Sequence, residues 1–157
     1  VTSAATTAAC STAAWARLDG YRAGLEAAGI APAAALIRQG DFYHESGFDE
    51  GGALLAMRDR PTAIFAASDQ MAFGVYEAAP QRGLRVPDDV SIVGFDDLPQ
   101  ARWASPPLTT VRQPLSQMGV LAARTILRLA RREEIESPRL ELATELVVRN
   151  STAPPRG

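Results

Sequence analysis

The chain has little of what most enzyme chemistry needs. Its 157 residues include one cysteine, Cys10, and one histidine, His44. A lone cysteine excludes a disulfide within the chain and suits a reducing compartment. A lone histidine leaves neither a metal cluster nor a Ser-His-Asp array with enough members. Cys10 has no base near it in sequence to generate a thiolate. The 16 Lys and Arg against 18 Asp and Glu give a net charge of −2, so this segment has no basic footprint with which to grip DNA by itself. No apolar run approaches the roughly 18–20 residues that span a bilayer, and the N-terminus lacks a basic stretch followed by an apolar one. The expected location is the cytoplasm.

What is present suits a soluble domain. Hydrophobic residues make up 46% of the chain, enough for one domain with a core. The most informative stretch runs from Pro61 to Gln113. Ala63 to Ala67 is an apolar block of strand length, followed by Ser68-Asp69 and a segment, Gln70 to Glu77, that reads as helix. Ser68 or Asp69 is the expected N-cap, and Gly83 the stop. A second apolar block, Ser91 to Phe95, ends in Asp96-Asp97. Strand, helix and strand of these lengths make a parallel unit with a right-handed crossover. In open parallel sheets the ligand crevice lies beyond the carboxyl ends of the strands, which is where Ser68, Asp69, Asp96 and Asp97 fall.

Elsewhere the pattern continues. Trp15 to Ala28 reads as a helix closed by Gly29, Ala34 to Ile37 as a strand leading into Gly40-Asp41-Phe42, and Ser46 to Arg58 as a helix weakened by Gly51-Gly52. Thr109 to Arg112 is a short strand. Pro114 suits the first position of a helix, and Met118, Leu121, Ala122, Ile126, Leu129 and Ala130 give it an apolar stripe. Leu140 to Val148 is a last strand, and 151–157 reads as a frayed tail. Pro80 falls within the helix that Gly83 closes, where an interior proline costs about 3 kcal/mol. The Ala/Thr/Ser-rich residues 1–14 read as irregular.

The segments RPTAIFAASDQMAFGVYEAA, GLRVPDDVSIVGFDD and PPLTTVRQP, with the closing LATELVVRNSTAPP, resemble in order and spacing the effector-binding core of LacI/GalR-family transcription regulators. The resemblance runs from about Arg17 to Pro154. It implies an α/β, periplasmic-binding-protein-like parallel sheet flanked by helices. Most of it would be the carboxy-terminal subdomain (15–113), with 114–139 belonging to the amino-terminal subdomain and 140–150 returning as a strand. Residues 1–14 depart from the family, which has an apolar strand and a glycine-containing turn there, and Ala143 stands where the family often has proline. The resemblance further implies that the DNA-binding headpiece, the hinge and most of the amino-terminal subdomain lie outside this chain. The stripe of helix 114–132 should then either lean on another chain or be mobile.

The family implies a small effector of the sugar or nucleoside/purine class, a homodimer, and operator DNA read only by the missing headpiece. A polyol needs carboxylates to accept from its hydroxyls, a guanidinium to donate, and an aromatic ring for its C–H faces. Arg17, in an arginine-x-x-glycine motif, takes the effector-reaching role by resemblance, although its chemistry alone suits a solvated helix arginine. Phe42 matches an aromatic that lies against the effector, with core packing as the alternative. Ser68 matches a polar contact, Asp96 the effector-binding aspartate, and Gln113 a residue at the subdomain crossing. Asp69 and Asp97 read as structural neighbours of the site. No cofactor is expected, since Gly51-Gly52 lacks the spacing of a phosphate loop. The alternative functions are a solute-binding protein of a transporter, which would share the fold, and an enzyme, for which no nucleophile, base and orienter are visible together.

Overall fold

A computed structural model describes residues 3–8, 12–134 and 139–155, so Cys10 lies outside the described residues. Six strands form one sheet in the order β2-β1-β3-β4-β5-β6, parallel throughout except for β6. The strands are β1 Ser3–Ala8, β2 Ile37–Gly40, β3 Ala63–Ala66, β4 Ser91–Asp96, β5 Thr109–Arg112 and β6 Glu145–Val147. The helices are α1 Thr12–Ala27, α2 His44–Leu55, α3 Asp69–Ala78 and α4 Leu115–Ala130. This is the α/β class the sequence implied. The chain order reverses between β1 and β3, which in doubly wound sheets is where the ligand crevice opens.

Period-two alternation divides the sheet. Ile64, Ala66 and Ile92 face α2 and α3 in a core with Leu54, Met71, Val75 and Leu108. Phe65 faces the other way and stacks on Tyr21 of α1, ring centroids 6.4 Å apart.

Several expectations are corrected. Residues 1–14 contain strand β1, paired on both sides by β2 and β3, and α1 starts at Thr12 rather than Trp15. Two ladders and complete burial of Ala4 and Ala5 outweigh the weak strand preference of small residues. Ala34–Leu36 is a 3-10 turn, and β2 begins only at Ile37. Pro80 is not inside α3, which ends at Ala78; it opens a 3-10 turn, Pro80–Arg82, where its missing N–H costs nothing. Pro114 caps α4 instead of starting it. The final strand is three residues long.

The glycines of α2 do not weaken it but set its distance from α3. A Cβ on Gly47 would stand 2.2 Å from the Met71 carbonyl oxygen, and one on Gly51 2.6 Å from a Val75 methyl. The tail is not frayed as far as Ala153, whose N–H donates to the Ser91 hydroxyl at 3.0 Å. Ser151 is fully buried, donates to the Ile92 carbonyl at 2.6 Å and accepts from Thr109 N–H at 2.8 Å. Helix α4 differs from the rest. None of its residues is buried, and Leu115, Val120, Ile126, Leu127 and Leu129 are exposed.

Candidate functional site

The candidate residues converge at the carboxyl ends of successive strands. Arg17 comes from α1 after β1, Phe42 from the turn after β2, Ser68 from the start of α3 after β3, Asp96 from the end of β4, and Gln113 from the residue after β5.

Four of them meet. The Arg17 guanidinium lies over the Phe95 ring, 3.8 Å from its centroid, with the Phe42 ring at 5.3 Å. Such stacking suits a delocalised, weakly hydrated cation. Arg17 Nη1 donates to the Ala67 carbonyl at 2.5 Å, and Nη2 stands 3.9 Å from Asp96 Oδ1. Gln113 Nε2 donates to that same Oδ1 at 2.6 Å. Burial pushes the Asp96 carboxyl above its ordinary value, against the Gln113 hydrogen bond and the Arg17 charge. Burial likewise lowers Arg17, opposed by Asp96. The arrangement is a mostly buried carboxylate and guanidinium too far apart for a direct hydrogen bond. A hydroxyl group can donate to one and accept from the other.

Ser68 is placed differently from the ligand-facing position the resemblance implied. Its hydroxyl donates to the Phe42 carbonyl at 2.8 Å and accepts from Met71 N–H at 3.1 Å, so it is the N-cap of α3 and has no proton left for a ligand. The bond to Phe42 holds that residue, whose φ is 73°, and so places its ring beside Arg17. Asp69 is not the cap. It is fully buried and its carboxylate accepts from Leu98 N–H at 2.7 Å and from the Thr110 hydroxyl at 2.5 Å. Asp97 accepts from Arg112 Nε at 2.6 Å and from Arg149 Nη2 at 2.5 Å. Burial works to raise the Asp97 carboxyl, but the hydrogen bonds and charges of Arg149 and Arg112 outweigh it and hold it below its ordinary value.

Phe95, Thr110 and Arg149 were missed. Phe95 had a signal, because strand alternation puts it on the face opposite Gly94 and Asp96, the face that α1 covers. Arg149 had none, since its partner lies 52 residues earlier.

Beside this cluster, a cleft of about 610 Å³ opens over the α1 face of the sheet. Arg17 and Gln113 line it, and most of its wall is apolar, formed by Ala13, Ala16, Phe65, Phe95 and Val111. Among the described residues no group of His, Cys, Asp and Glu could hold a metal ion, and no helix is long and apolar enough to cross a membrane.

A doubly wound sheet whose strand ends carry a carboxylate, a stacked guanidinium and an amide defines a ligand-binding domain of the periplasmic-binding-protein kind. The chain belongs to the periplasmic binding protein-like domain family, which matches residues 5–152, in the form found in LacI-type transcription regulators. It is 46% identical over 138 residues to the HTH-type transcriptional regulator DegA of Bacillus subtilis, covering 88% of this chain and 41% of that protein. Among solved structures it resembles a transcriptional regulator CelR–cellobiose complex at 39% identity and TM-score 0.90, covering 95% of this chain and 46% of the other. It also resembles a dimeric Lac repressor at 34% identity and TM-score 0.90, covering 98% and 56%. The chain thus spans about two fifths of the curated relative's length.

Proposed function

We propose that this chain is the effector-sensing portion of a LacI-type transcription regulator and that it binds a small polyhydroxylated ligand, of the sugar or nucleoside class, through Arg17, Asp96, Gln113 and the Phe42 ring. The observation that carries this is the 3.9 Å gap between the Arg17 guanidinium and the Asp96 carboxylate, both mostly buried beside the carboxyl ends of the strands. A hydroxyl bridging that gap gains two charge-assisted hydrogen bonds, and the Phe42 ring offers a face to sugar C–H groups.

In this reading the ligand stabilises one arrangement of the whole regulator over another and thereby changes its affinity for operator DNA. The DNA is read by a headpiece outside this chain, and the protein acts in the cytoplasm as a homodimer and not as an enzyme. The dimeric Lac repressor supports the pairing, and the regulators among its relatives favour a regulatory role over transport. Residues 15–113 would form the carboxy-terminal subdomain, and α4 would belong to the amino-terminal one, which fits a helix with no buried residue.

The test is a thermal-shift screen of the chain against cellobiose, D-ribose, adenosine and guanine. A ligand at about 100 times its dissociation constant should add about 2.7 kcal/mol to the folded state. Asp96→Ala and Arg17→Ala should each abolish the shift. A shift that survives both substitutions would place the ligand elsewhere.

A further inference from the structure

The turn that presents Asp96 is strained. Asp96 and Asp97 follow one another with φ of 125° and 55°, in the region that L residues rarely adopt. Two successive residues of this kind persist only where their surroundings over-determine them.

The surroundings converge on one buried side chain. Asp69 stands in the first turn of α3, and its two carboxylate oxygens grip both sides of the turn. One accepts from Leu98 N–H at 2.7 Å, just after the strained pair, and the other from the Thr110 hydroxyl at 2.5 Å, on the neighbouring strand. The Thr110 oxygen in turn receives the Asp97 N–H at 3.4 Å. The room for this carboxylate exists because residue 94 is glycine; a Cβ there would stand 2.3 Å from Asp69 Oδ1. Burying a carboxylate is costly unless it is hydrogen-bonded, and these two donors supply that compensation while being held by it in turn. What they hold is the backbone on which the Asp96 carboxylate is aimed at Gln113 and Arg17.

We propose that Asp69 is a positioning residue for effector binding: through Leu98 N–H and the Thr110 hydroxyl it fixes the turn that points Asp96 into the crevice. The inference rests on Asp96 as a ligand contact, and the experiment separates the two claims.

Five variants of the full chain serve: Thr110→Val, Thr110→Ser, Asp69→Asn, Asp96→Ala and, as a core control of lowered stability, Leu54→Val. The first readout needs no ligand. The side-chain amide resonances of Gln113 report its bond to Asp96. Thr110→Val and Asp69→Asn should shift them toward those of a free amide, whereas Thr110→Ser, which keeps the hydroxyl, and Leu54→Val should leave them in place. The second readout is titration with cellobiose and D-ribose. Thr110→Val should weaken whichever probe binds by about tenfold, the loss expected for one hydrogen bond to a charged group, with Thr110→Ser restoring it. Gln113 resonances unchanged in both Thr110→Val and Asp69→Asn, or shifted equally in Leu54→Val, would overturn the positioning role. Probe binding retained in Asp96→Ala would overturn the reading of Asp96 as a ligand contact and leave the amide result to decide the role of Asp69 in the turn.

Discussion

Substituting Gly74 by alanine should destabilise this domain, while the same change at Gly20 should stabilise it. Both glycines are interior helical residues, and in both an alanine recovers about 1 kcal/mol of helix propensity. Their surroundings decide the sign. A Cβ at Gly20 meets nothing within 4 Å. A Cβ at Gly74 would stand 2.2 Å from the His44 carbonyl oxygen and 2.4 Å from the Phe48 amide nitrogen, where ordinary contact begins at 3.4 Å. These are backbone atoms of α2, which cannot rotate aside as a side chain would, so the two helices must part by about 1 Å along their contact. Overpacking of this kind costs about 1–3 kcal/mol, and a backbone obstacle belongs at the upper end. The net expectation is a loss of about 2 kcal/mol for Gly74→Ala and a gain of up to about 1 kcal/mol for Gly20→Ala. Urea unfolding followed by circular dichroism measures both. A Gly74→Ala chain as stable as Gly20→Ala would refute the claim that α2 and α3 meet through their glycines.

Three further outcomes follow from the same contacts. Asp97→Asn should cost about 2–3 kcal/mol at pH 7, because Arg149, with its side chain only 13% exposed, loses its ionic partner; urea midpoints check it, and a loss below about 0.5 kcal/mol, the level of a surface pair, would show that the clamp is solvated. Because the folded-state pKa of Asp97 is depressed, the stability it confers is present above the ordinary carboxylate range and disappears as pH falls through the depressed value. The gap between wild type and Asp97→Asn should therefore close on acidification below about pH 4, and a gap that widened would reverse the sign of the linkage. Ser68→Ala removes both the α3 cap and the bond to the Phe42 carbonyl, and should cost about 1–2 kcal/mol. Its effect on ligand binding should be smaller than that of Asp96→Ala, as measured by titration with the same probe, whereas an equal loss would return Ser68 to the ligand.

How far each element could be read from sequence followed from where its stabilisation comes from. Strands β3 and β4 were legible because burial on both faces makes them continuous apolar blocks, and the start of the helix between them because the Ser68 cap marks it. Strand β1 was not, because Ala4 and Ala5 carry little signal of their own and the strand is held by neighbours 32 and 60 residues later, at Ile37 and Ile64. Gly51 and Gly52 read as weak points of their helix, since the close approach of Gly51 to Val75 exists only once α2 and α3 are packed. The stop at Ala78 shows the same limit at shorter range, with Pro80 serving a separate turn that looked like the continuation of a helix.

The three aspartates show the limit within the site itself. Asp69, Asp96 and Asp97 have the same side chain, and each lies at or just after a strand end, so sequence position ranks them only by resemblance. The folded chain gives them three fates according to which donors arrive. Asp97 meets two arginines, one of them 52 residues away, and becomes a fixed ion pair. Asp69 meets a hydroxyl from 41 residues away and a backbone N–H, both neutral, and is buried with its pKa raised by that burial. Asp96 meets one amide and a guanidinium that stops 3.9 Å short. Both oxygens of Asp69 and of Asp97 have a donor, whereas only one oxygen of Asp96 does, so in the proposed reading Asp96 is set apart less by its own motif than by the donors that reach the other two. Changing the donors should move the role. A variant that emptied the Asp97 clamp would add a second free carboxylate at the strand end, and the selectivity of the crevice among polyols should change with it.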